Sequence, residues 1–267
     1  QNARDIEAGR AAGMAPSLID RLLLTPERVE SMACALEDLV ALPDPIGRIL
    51  EERTIDEGLR LAKVSVPLGL VAVIYEARPN VTADAAGICL KAGNACVLRG
   101  GSQARLSNVA IADALREGVV SAGLPADAVS LVADAGHASA DELMGLRGTV
   151  DVLIPRGSAA LISHCVEHAK VPVIETGVGN CHVYVHGSAD PSMARDILVN
   201  AKTQRIGVCN ACESLLYDAS LADAPGAPLA VILRALTDAG VTLHADDRTA
   251  ALLDKEGIPF RAAEQSD

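Results

Sequence analysis

The stretch Leu70-Val-Ala-Val-Ile74 is a short apolar run, and after it such runs alternate with amphipathic stretches. The further strand candidates are Ala95–Leu98, Val129–Val132, Asp151–Ile154 and Val171–Ile174. Helix candidates lie between them, near Ala83–Ala92, Ala104–Ser121, Ser139–Leu146 and Ser158–Ala169. This alternation predicts an α/β fold in which a parallel sheet carries helices on both faces. Ligands of such sheets bind beyond the carboxyl ends of the strands.

The segment before the sheet predicts helices over roughly the first sixty residues. Thr25 is a candidate N-cap, followed by Pro26 at the first helical position and by the acidic Glu27. The apolar residues that follow have helical spacing until 42–45, where the helix should end.

A second pattern begins after Glu175, and it predicts a domain boundary near 177–179. Asp190 is expected to cap a helix that starts at Pro191 and runs to about Lys202. The other expected elements are a strand at Val183–Val185, a polar loop over 203–212, a strand at Ser214–Tyr217, a helix near Pro228–Ala239 and a strand at Val241–Leu243.

The amino-acid composition and the net charge indicate which classes of partner this protein can have. Half of the 267 residues are apolar and 22% are charged, which is typical of a globular chain. The formal charge of −12 argues against nucleic-acid and anionic-membrane partners, because phosphate groups favour clusters of Lys and Arg. The sequence shows neither the apolar length of a membrane span nor the charge order of a signal peptide. We therefore expect a cytoplasmic protein that acts on a small molecule.

The loop from Lys202 to Glu213 concentrates chemically capable residues. Lys202 and Arg205 lie within seven residues of Cys209, and nearby positive charge favours a nucleophilic thiolate and an anionic substrate. The same thiol also fits a buried structural cysteine. Cys209 and Cys212 form a Cys-x-x-Cys pair, so a redox dithiol is an alternative function for this loop. A zinc site is disfavoured because no second pair of Cys or His ligands follows in the sequence.

Two strand-to-helix loops are candidates for anion binding, Arg99-Gly-Gly-Ser102 and Arg156-Gly-Ser158. Each presents backbone N–H groups and a serine hydroxyl, although loops of this kind are common in α/β proteins. In the polar segment 75–81, Arg78 and Asn80 can hold a substrate anion or an oxyanion. The alternative is a turn in which Pro79 and Asn80 serve backbone geometry.

Several segments occur in a recognisable order: Tyr75-Glu-Ala-Arg-Pro-Asn80, Leu90-Lys-Ala-Gly-Asn94 leading to Leu98-Arg-Gly-Gly101, Ile154-Pro-Arg-Gly-Ser158, Glu175-Thr-Gly-Val-Gly-Asn-Cys-His182, and Asn200-Ala-Lys-Thr-Gln-Arg205 with Val208-Cys-Asn-Ala211. Together they closely resemble the γ-glutamyl phosphate reductases, a family of the aldehyde dehydrogenase superfamily. The resemblance extends over essentially all 267 residues. It implies an aldehyde-dehydrogenase-like fold, with a Rossmann-like nicotinamide domain at 1–177 and a partial α/β thiol domain at 178–267.

The resemblance further implies NADPH-dependent reduction of L-glutamyl 5-phosphate to L-glutamate 5-semialdehyde, with release of phosphate, in proline biosynthesis. Cys209 matches the family's nucleophile, which would form a thioester. Cofactor binding falls to Arg99, Ser102, Gly157, Ser158 and Glu175, substrate binding to Arg78, Lys202 and Arg205, and no residue to a metal.

Three departures from the family pattern matter. Glu76 stands where the superfamily has its oxyanion asparagine, so Asn80 is the expected substitute beside the backbone N–H of Cys209. Glu175 matches the general base of hydrolytic relatives, but a reduction that releases phosphate needs no activated water. The chain stops at Asp267, before the catalytic domain should be finished, although the complete protein is expected to be a homo-oligomer. The alternatives are another acylating aldehyde dehydrogenase and a truncated, non-catalytic module.

Overall fold

The computed structural model describes residues 1–177, 179–206 and 208–264. Val178 of the predicted boundary, Gly207 of the predicted loop and the last three residues lie outside this range. The chain divides into two compact units, residues 1–177 and 178–267. The first unit contains helices α1 (Asn2–Ala11), α2 (Pro16–Leu22), α3 (Pro26–Ala41), α4 (Asn80–Lys91), α5 (Arg105–Ser121), α6 (His137–Gly145) and α7 (Ala159–His168), with strands β1 (Ile49–Ile55), β2 (Leu59–Val64), β3 (Leu70–Tyr75), β4 (Ala95–Gly100), β5 (Val129–Leu131) and β6 (Val152–Arg156).

The main sheet of the first unit has the order β5-β4-β3-β6, and all its neighbours are parallel. Val71 of β3 lies opposite Cys96 of β4 on one side and Val152 of β6 on the other. Because β4 and β5 follow β3 in one direction while β6 lies on its opposite side, the strand order reverses at β3. Loops leave the carboxyl ends of neighbouring strands in opposite directions there, which opens a crevice.

Each face of this sheet has its own apolar core. On one face Val73 and Leu98 pack with Ala86 of α4 and Val119 of α5. On the other face Ile74 and Leu153 belong to a cluster that includes residues of α6 and α7, among them Met144 and Cys165. The predicted parallel sheet with helices on both faces is therefore confirmed.

Helix α1 is held to the sheet domain through a buried carboxylate. Asp5, 6% exposed, accepts hydrogen bonds from the backbone N–H groups of Leu106 (3.2 Å) and Ser107 (2.8 Å) and from the Ser107 hydroxyl (2.6 Å). These donors lie in the first turn of α5, whose N–H groups have no partner within the helix. Asp5 thus acts as an N-cap supplied from about a hundred residues away.

The helical prediction for the first sixty residues is correct up to Ala41 and wrong beyond it. The N-cap is confirmed, since the Thr25 hydroxyl accepts from the N–H of Arg28 at 3.2 Å. After α3, however, β1 and β2 form an antiparallel hairpin in which Ile55 pairs with Leu59. Glu57 and Gly58 at its turn both have positive φ, 58° and 82°. The sequence Asp56-Glu-Gly58, a short glycine-containing segment before the alternating residues of β2, is a hairpin signal that the helical interpretation misses.

The predicted strand at Val171–Ile174 is reduced to a single bridge between Leu153 and Val173. Two hydrogen bonds accompany it, from the N–H of Leu153 to the oxygen of Pro172 (2.8 Å) and from the N–H of Ile174 to the oxygen of Leu153 (2.9 Å). Pro172 has no N–H to donate, which limits how far a ladder can extend through it.

The second unit contains β7 (His182–Val185), α8 (Pro191–Thr203), β8 (Ser214–Tyr217), α9 (Pro228–Asp238), β9 (His244–Ala245), α10 (Asp247–Glu256) and β10 (Arg261–Ala262). Strands β7 and β8 pair in parallel, and the Asp190 cap is confirmed by a 2.8 Å hydrogen bond from the N–H of Met193. The predicted strand at Val241–Leu243 is wrong, because β9 begins at His244. Gly240 has φ 82°, and the N–H of Val241 closes α9 by donating to Leu236.

Within the described part of the chain, no helix has the length and apolar character needed to span a membrane.

Candidate active site

The carboxyl ends of β3, β4 and β6 bring three predicted segments to one edge of the sheet. Tyr75, Gly100 and Arg156 are the last residues of these strands, and they pair in register across β3. A glycine directly follows β6 and another directly follows β4, and neighbouring atoms lie close to both. A Cβ on Gly157 would lie 2.7 Å from Cδ of Glu76, and one on Gly101 would lie 3.3 Å from the backbone nitrogen of Ala77. Glycine at both points therefore lets neighbouring segments of the protein pack closely against the backbone.

Ser158 caps α7, and its donors are engaged by a carboxylate. The Ser158 N–H donates to one oxygen of Glu76 at 2.9 Å, and the hydroxyl donates to the other at 2.7 Å. The hydroxyl oxygen in turn accepts from the N–H of Leu161 at 3.4 Å, closing the first turn of α7. Both Glu76 and Ser158 are exposed. Sequence reasoning noted Glu76 only as a departure from the family pattern and missed this contact, which joins residues 82 positions apart.

Ser102 and Arg99 lie by the adjacent loop, after β4. Ser102 lines an open cleft of about 710 Å³ together with Arg105 and residues 133–137. Arg99 is 8% exposed, and its Nη2 donates to the carbonyl oxygens of Ala135 (2.6 Å) and Gly136 (2.7 Å). The guanidinium thus supports the loop after β5, which forms one wall of the cleft.

Arg78 lies in the short connection between β3 and α4, and Asn80 directly follows that connection. The N–H of Arg78 donates to the carbonyl oxygen of Glu76 at 2.6 Å, which closes a tight turn over residues 76–78. Asn80 is the first residue of α4, and its amide donates to the Asp84 carboxylate at 2.9 Å. Burial raises the pKa of Asp84, and the hydrogen bond from Asn80 opposes that shift.

Three buried polar side chains next to this connection are linked by hydrogen bonds, and sequence reasoning missed them. The Tyr75 hydroxyl lies 2.7 Å from the hydroxyl of Thr82, which donates to Oδ1 of Asn108 at 3.1 Å. All three side chains are buried, and burial raises the pKa of Tyr75 to about 12. Tyr75 ends β3 and Thr82 lies in the first turn of α4. These hydrogen bonds therefore hold both ends of the segment that carries Arg78 and Asn80.

Glu175 is exposed and lies outside helices and strands, near the end of the first unit. The second unit carries the thiol loop. Cys209 is exposed, whereas Cys212 is only 7% exposed. Two hydrogen bonds hold backbone groups of this loop. The Cys181 thiol donates to the carbonyl oxygen of Cys209 at 3.3 Å, and the N–H of Cys212 donates to the carbonyl oxygen of Ala201 at 2.9 Å. The two cysteines of the Cys-x-x-Cys pair therefore have different environments.

Lys202 lies in the last turn of α8 and is half-buried, while Arg205 is exposed in the loop that follows. The positive charge of Lys202 reaches Cys212, where it lowers the pKa of the thiol. Burial of Cys212 is the larger effect and raises that pKa, so this thiol stays protonated at neutral pH.

All seven cysteines are unpaired thiols. In the ranges that the structure describes, no three His, Cys, Asp or Glu side chains gather in a way that could hold a metal ion.

A family model, the aldehyde dehydrogenase family, matches residues 32–256. The chain belongs to the aldehyde dehydrogenase family. The chain is 48% identical over 266 residues to a γ-glutamyl phosphate reductase of Kineococcus radiotolerans, an alignment that covers 100% of this chain and 61% of the relative.

Solved structures show the same relationship. The γ-glutamyl phosphate reductase of Thermotoga maritima is 39% identical with a TM-score of 0.87, and the match covers 99% of the present chain and 62% of the reductase. The enzyme of Saccharomyces cerevisiae is 30% identical with a TM-score of 0.60, covering 96% and 63% of the two chains. The resemblance to the reductases and the fold class are confirmed, and the chain spans a little over three fifths of these relatives. The roles of the individual site residues stay predictions.

Proposed function

We propose that this chain is the nicotinamide-binding unit and the thiol-bearing part of a γ-glutamyl phosphate reductase. The reaction is the NADPH-dependent reduction of L-glutamyl 5-phosphate to L-glutamate 5-semialdehyde with release of phosphate, a step of proline biosynthesis. The similarity to reductases from two bacteria and a yeast supports this substrate.

The observation that carries the proposal is the contrast between Cys209 and Cys212. Cys209 is exposed, so a substrate can reach its sulfur, whereas Cys212 is buried and its thiol pKa is raised. A nucleophilic cysteine must be accessible and ionisable, and an inert structural cysteine is buried and protonated. Cys209 therefore suits the nucleophile, and Cys212 suits the core.

In the first step the Cys209 thiolate attacks the acyl carbon of the acyl phosphate, and the carbon–oxygen bond to phosphate breaks. Phosphate leaves with the electron pair, and a thioester remains on Cys209. The backbone N–H of Cys209 is a candidate donor to the substrate's carbonyl oxygen. Lys202 and Arg205 carry the positive charge of this loop and are proposed to attract the substrate's phosphate or carboxylate.

The carboxyl edge of the first unit fits a nicotinamide dinucleotide. The Ser158 N–H and hydroxyl, which Glu76 occupies here, are of the kind that bind a phosphate at a helix N-terminus, and Ser102 borders an open cleft. When bound, NADPH supplies the hydride that converts the thioester to the aldehyde and returns Cys209 to a thiolate.

The remaining residues have narrower proposed roles. Arg99 positions the cleft wall through its two carbonyl contacts. Arg78 and Asn80 lie on a connection pinned by the buried chain from Tyr75, which would hold them for contact with substrate, and the Asn80 amide would have to leave Asp84 to bind an oxyanion. Glu175 is assigned to the cofactor side because the reaction has no hydrolytic step.

We also propose that the complete protein is a cytoplasmic homo-oligomer. The hairpin of β1 and β2 supports association, because its two strands form a two-stranded sheet of their own within the described ranges and leave Ile49, Leu59 and Leu61 exposed. An isolated two-stranded hairpin with apolar surface is seldom stable in water without a covering surface.

The test is a pair of matched variants, Cys209→Ser and Cys212→Ser. We expect Cys209→Ser to abolish the phosphate-dependent oxidation of glutamate 5-semialdehyde by NADP+ while leaving NADPH binding intact, and Cys212→Ser to do much less. Brief alkylation at neutral pH should modify Cys209 well before Cys212, as read by peptide mass spectrometry. Equal losses from the two variants would point to a dithiol, activity on other aldehydes in preference would point to another acylating dehydrogenase, and NADPH binding without turnover would point to a non-catalytic module.

A further inference from the structure

Glu76 is a negatively charged group seated where an anionic ligand would be expected. Its two carboxylate oxygens take the N–H and the hydroxyl of Ser158, at 2.9 and 2.7 Å. These donors open α7, a helix of ten residues whose N-terminus carries partial positive charge. A carboxylate on this helix end satisfies the same donors that a phosphate would use.

The contact is built into the fold at both of its ends. The N–H of Glu76 donates to the carbonyl oxygen of Arg156 at 3.2 Å, which extends the β3–β6 pairing by one residue and fixes the backbone of Glu76 beside the loop after β6. A Cβ on Gly157 would lie 2.7 Å from Cδ of Glu76, so only glycine leaves room for the carboxyl group there. Glu76 and Ser158 therefore meet at the sheet edge where the strand order reverses.

We propose that Glu76 sets the affinity for the dinucleotide, because its carboxylate occupies the Ser158 donors in the free protein and a cofactor phosphate must displace it. This inference rests on the proposed function, which assigns the phosphate to Gly157 and Ser158. The Ser158 N–H and the Ser158 hydroxyl each have a single hydrogen, so they cannot donate full hydrogen bonds to a carboxylate and a phosphate at the same time. Two anions at one helix end also repel each other.

Displacement is feasible because both partners are exposed. An ion pair or charged hydrogen bond at the surface contributes little net free energy, since water replaces either partner readily. A glutamate side chain can also leave through rotation about its own bonds, with no change in the backbone bond to Arg156. The free protein therefore holds an internal competitor that lowers cofactor affinity without blocking the site.

The experiment compares four proteins, which are the unchanged chain, Glu76→Gln, Ser158→Ala and the double variant, with a fifth protein as the charge control. NADPH binding is titrated by the fluorescence of the reduced nicotinamide, and inorganic pyrophosphate is used as a second, nicotinamide-free probe. Glu117→Gln is the matched control, because it removes the same charge from an exposed site on α5. We expect Glu76→Gln to lower the Kd for both probes by about threefold to tenfold. The control should leave both values unchanged, and the effect should shrink when Ser158 is already alanine.

The outcomes separate this inference from the proposed function. If NADPH binds the unchanged chain and Glu76→Gln with the same Kd, or binds the variant more weakly, Glu76 does not compete and the inference is overturned alone. If neither protein binds NADPH but the variant binds pyrophosphate more tightly, the competition stands and the nicotinamide assignment fails. If neither probe binds to either protein, both ideas are overturned. An equal gain from Glu117→Gln overturns the inference by attributing the effect to net charge.

Discussion

Replacing Asp5 with alanine tests whether a single buried carboxylate holds α1 to the sheet domain. The change removes the acceptor of three hydrogen bonds, from the N–H groups of Leu106 and Ser107 and from the Ser107 hydroxyl. A helix cap is worth about 1 kcal/mol. A net hydrogen bond to a charged group contributes about 1.5 to 3 kcal/mol when it is buried. Because water can reach part of the first turn of α5 once α1 loosens, we expect a loss of about 3 kcal/mol rather than the full sum.

The milder variant Asp5→Asn keeps one acceptor oxygen and should lose about 1 kcal/mol. In a unit of this size each kcal/mol lowers the Tm by about 2 to 4 °C, so the alanine variant should melt about 6 to 12 °C lower. Hydrogen exchange gives a local measure, since the amides of Leu106 and Ser107 should lose protection before the rest of α5.

Glu7→Ala is the matched control, because Glu7 lies on the same helix, is exposed and carries the same charge. It should change the Tm by much less than Asp5→Ala. The reasoning is refuted if the two alanine variants melt at the same temperature, or if amide protection at Ser107 is unchanged in Asp5→Ala.

Two further predictions concern the first unit. Burial raises the pKa of Tyr75 to about 12, whereas an unfolded tyrosine titrates at about 10. The stabilisation from the protonated form is therefore complete below the unfolded value and is lost as pH rises through the folded one, so the free energy of unfolding should fall more steeply over that window in the unchanged chain than in Tyr75→Phe. Equal slopes in urea titrations would contradict this. Among the glycines, Gly69→Ala should cost about 2 kcal/mol, because φ is 116° and the new Cβ would collide with the Asp151 carboxylate. Gly118→Ala should instead gain about 0.5 to 1 kcal/mol, since nothing lies within 4 Å of its Cβ position on α5, and thermal unfolding that ranks these two variants the other way would contradict the argument.

Predictions that depend on neighbouring residues agree well with the structure. The Thr25 and Asp190 caps each bond an N–H three residues ahead, a distance that the local chain alone decides. The strands from Leu70 and Ala95 were found because buried parallel strands are continuous apolar runs. Local interpretation fails at the hairpin of β1 and β2, because its apolar residues are compatible with helical spacing as well as with strand alternation.

The candidate site was predicted as residue types and motifs, and its contacts were not. The motif with Ser158 is a candidate anion site by sequence, but the Glu76 carboxylate that occupies it comes from the connection after β3. Arg99 was predicted from a loop that suits anions, yet its guanidinium bonds two carbonyl oxygens of the loop after β5. Neither partner has a signature at fixed spacing, because strand order rather than sequence distance brings them together.

The sequence by itself determined the alternation of strands and helices, the local caps, and the presence of a thiol that follows two cations within seven residues. Only the tertiary structure decided that Cys209 is exposed while Cys212 is buried, that Asp5 caps α5, and that Glu76 meets Ser158. Local propensities act over a few residues and are encoded residue by residue. Burial and long-range contacts depend on which faces of distant elements pack together, and that choice is made by the whole apolar core at once.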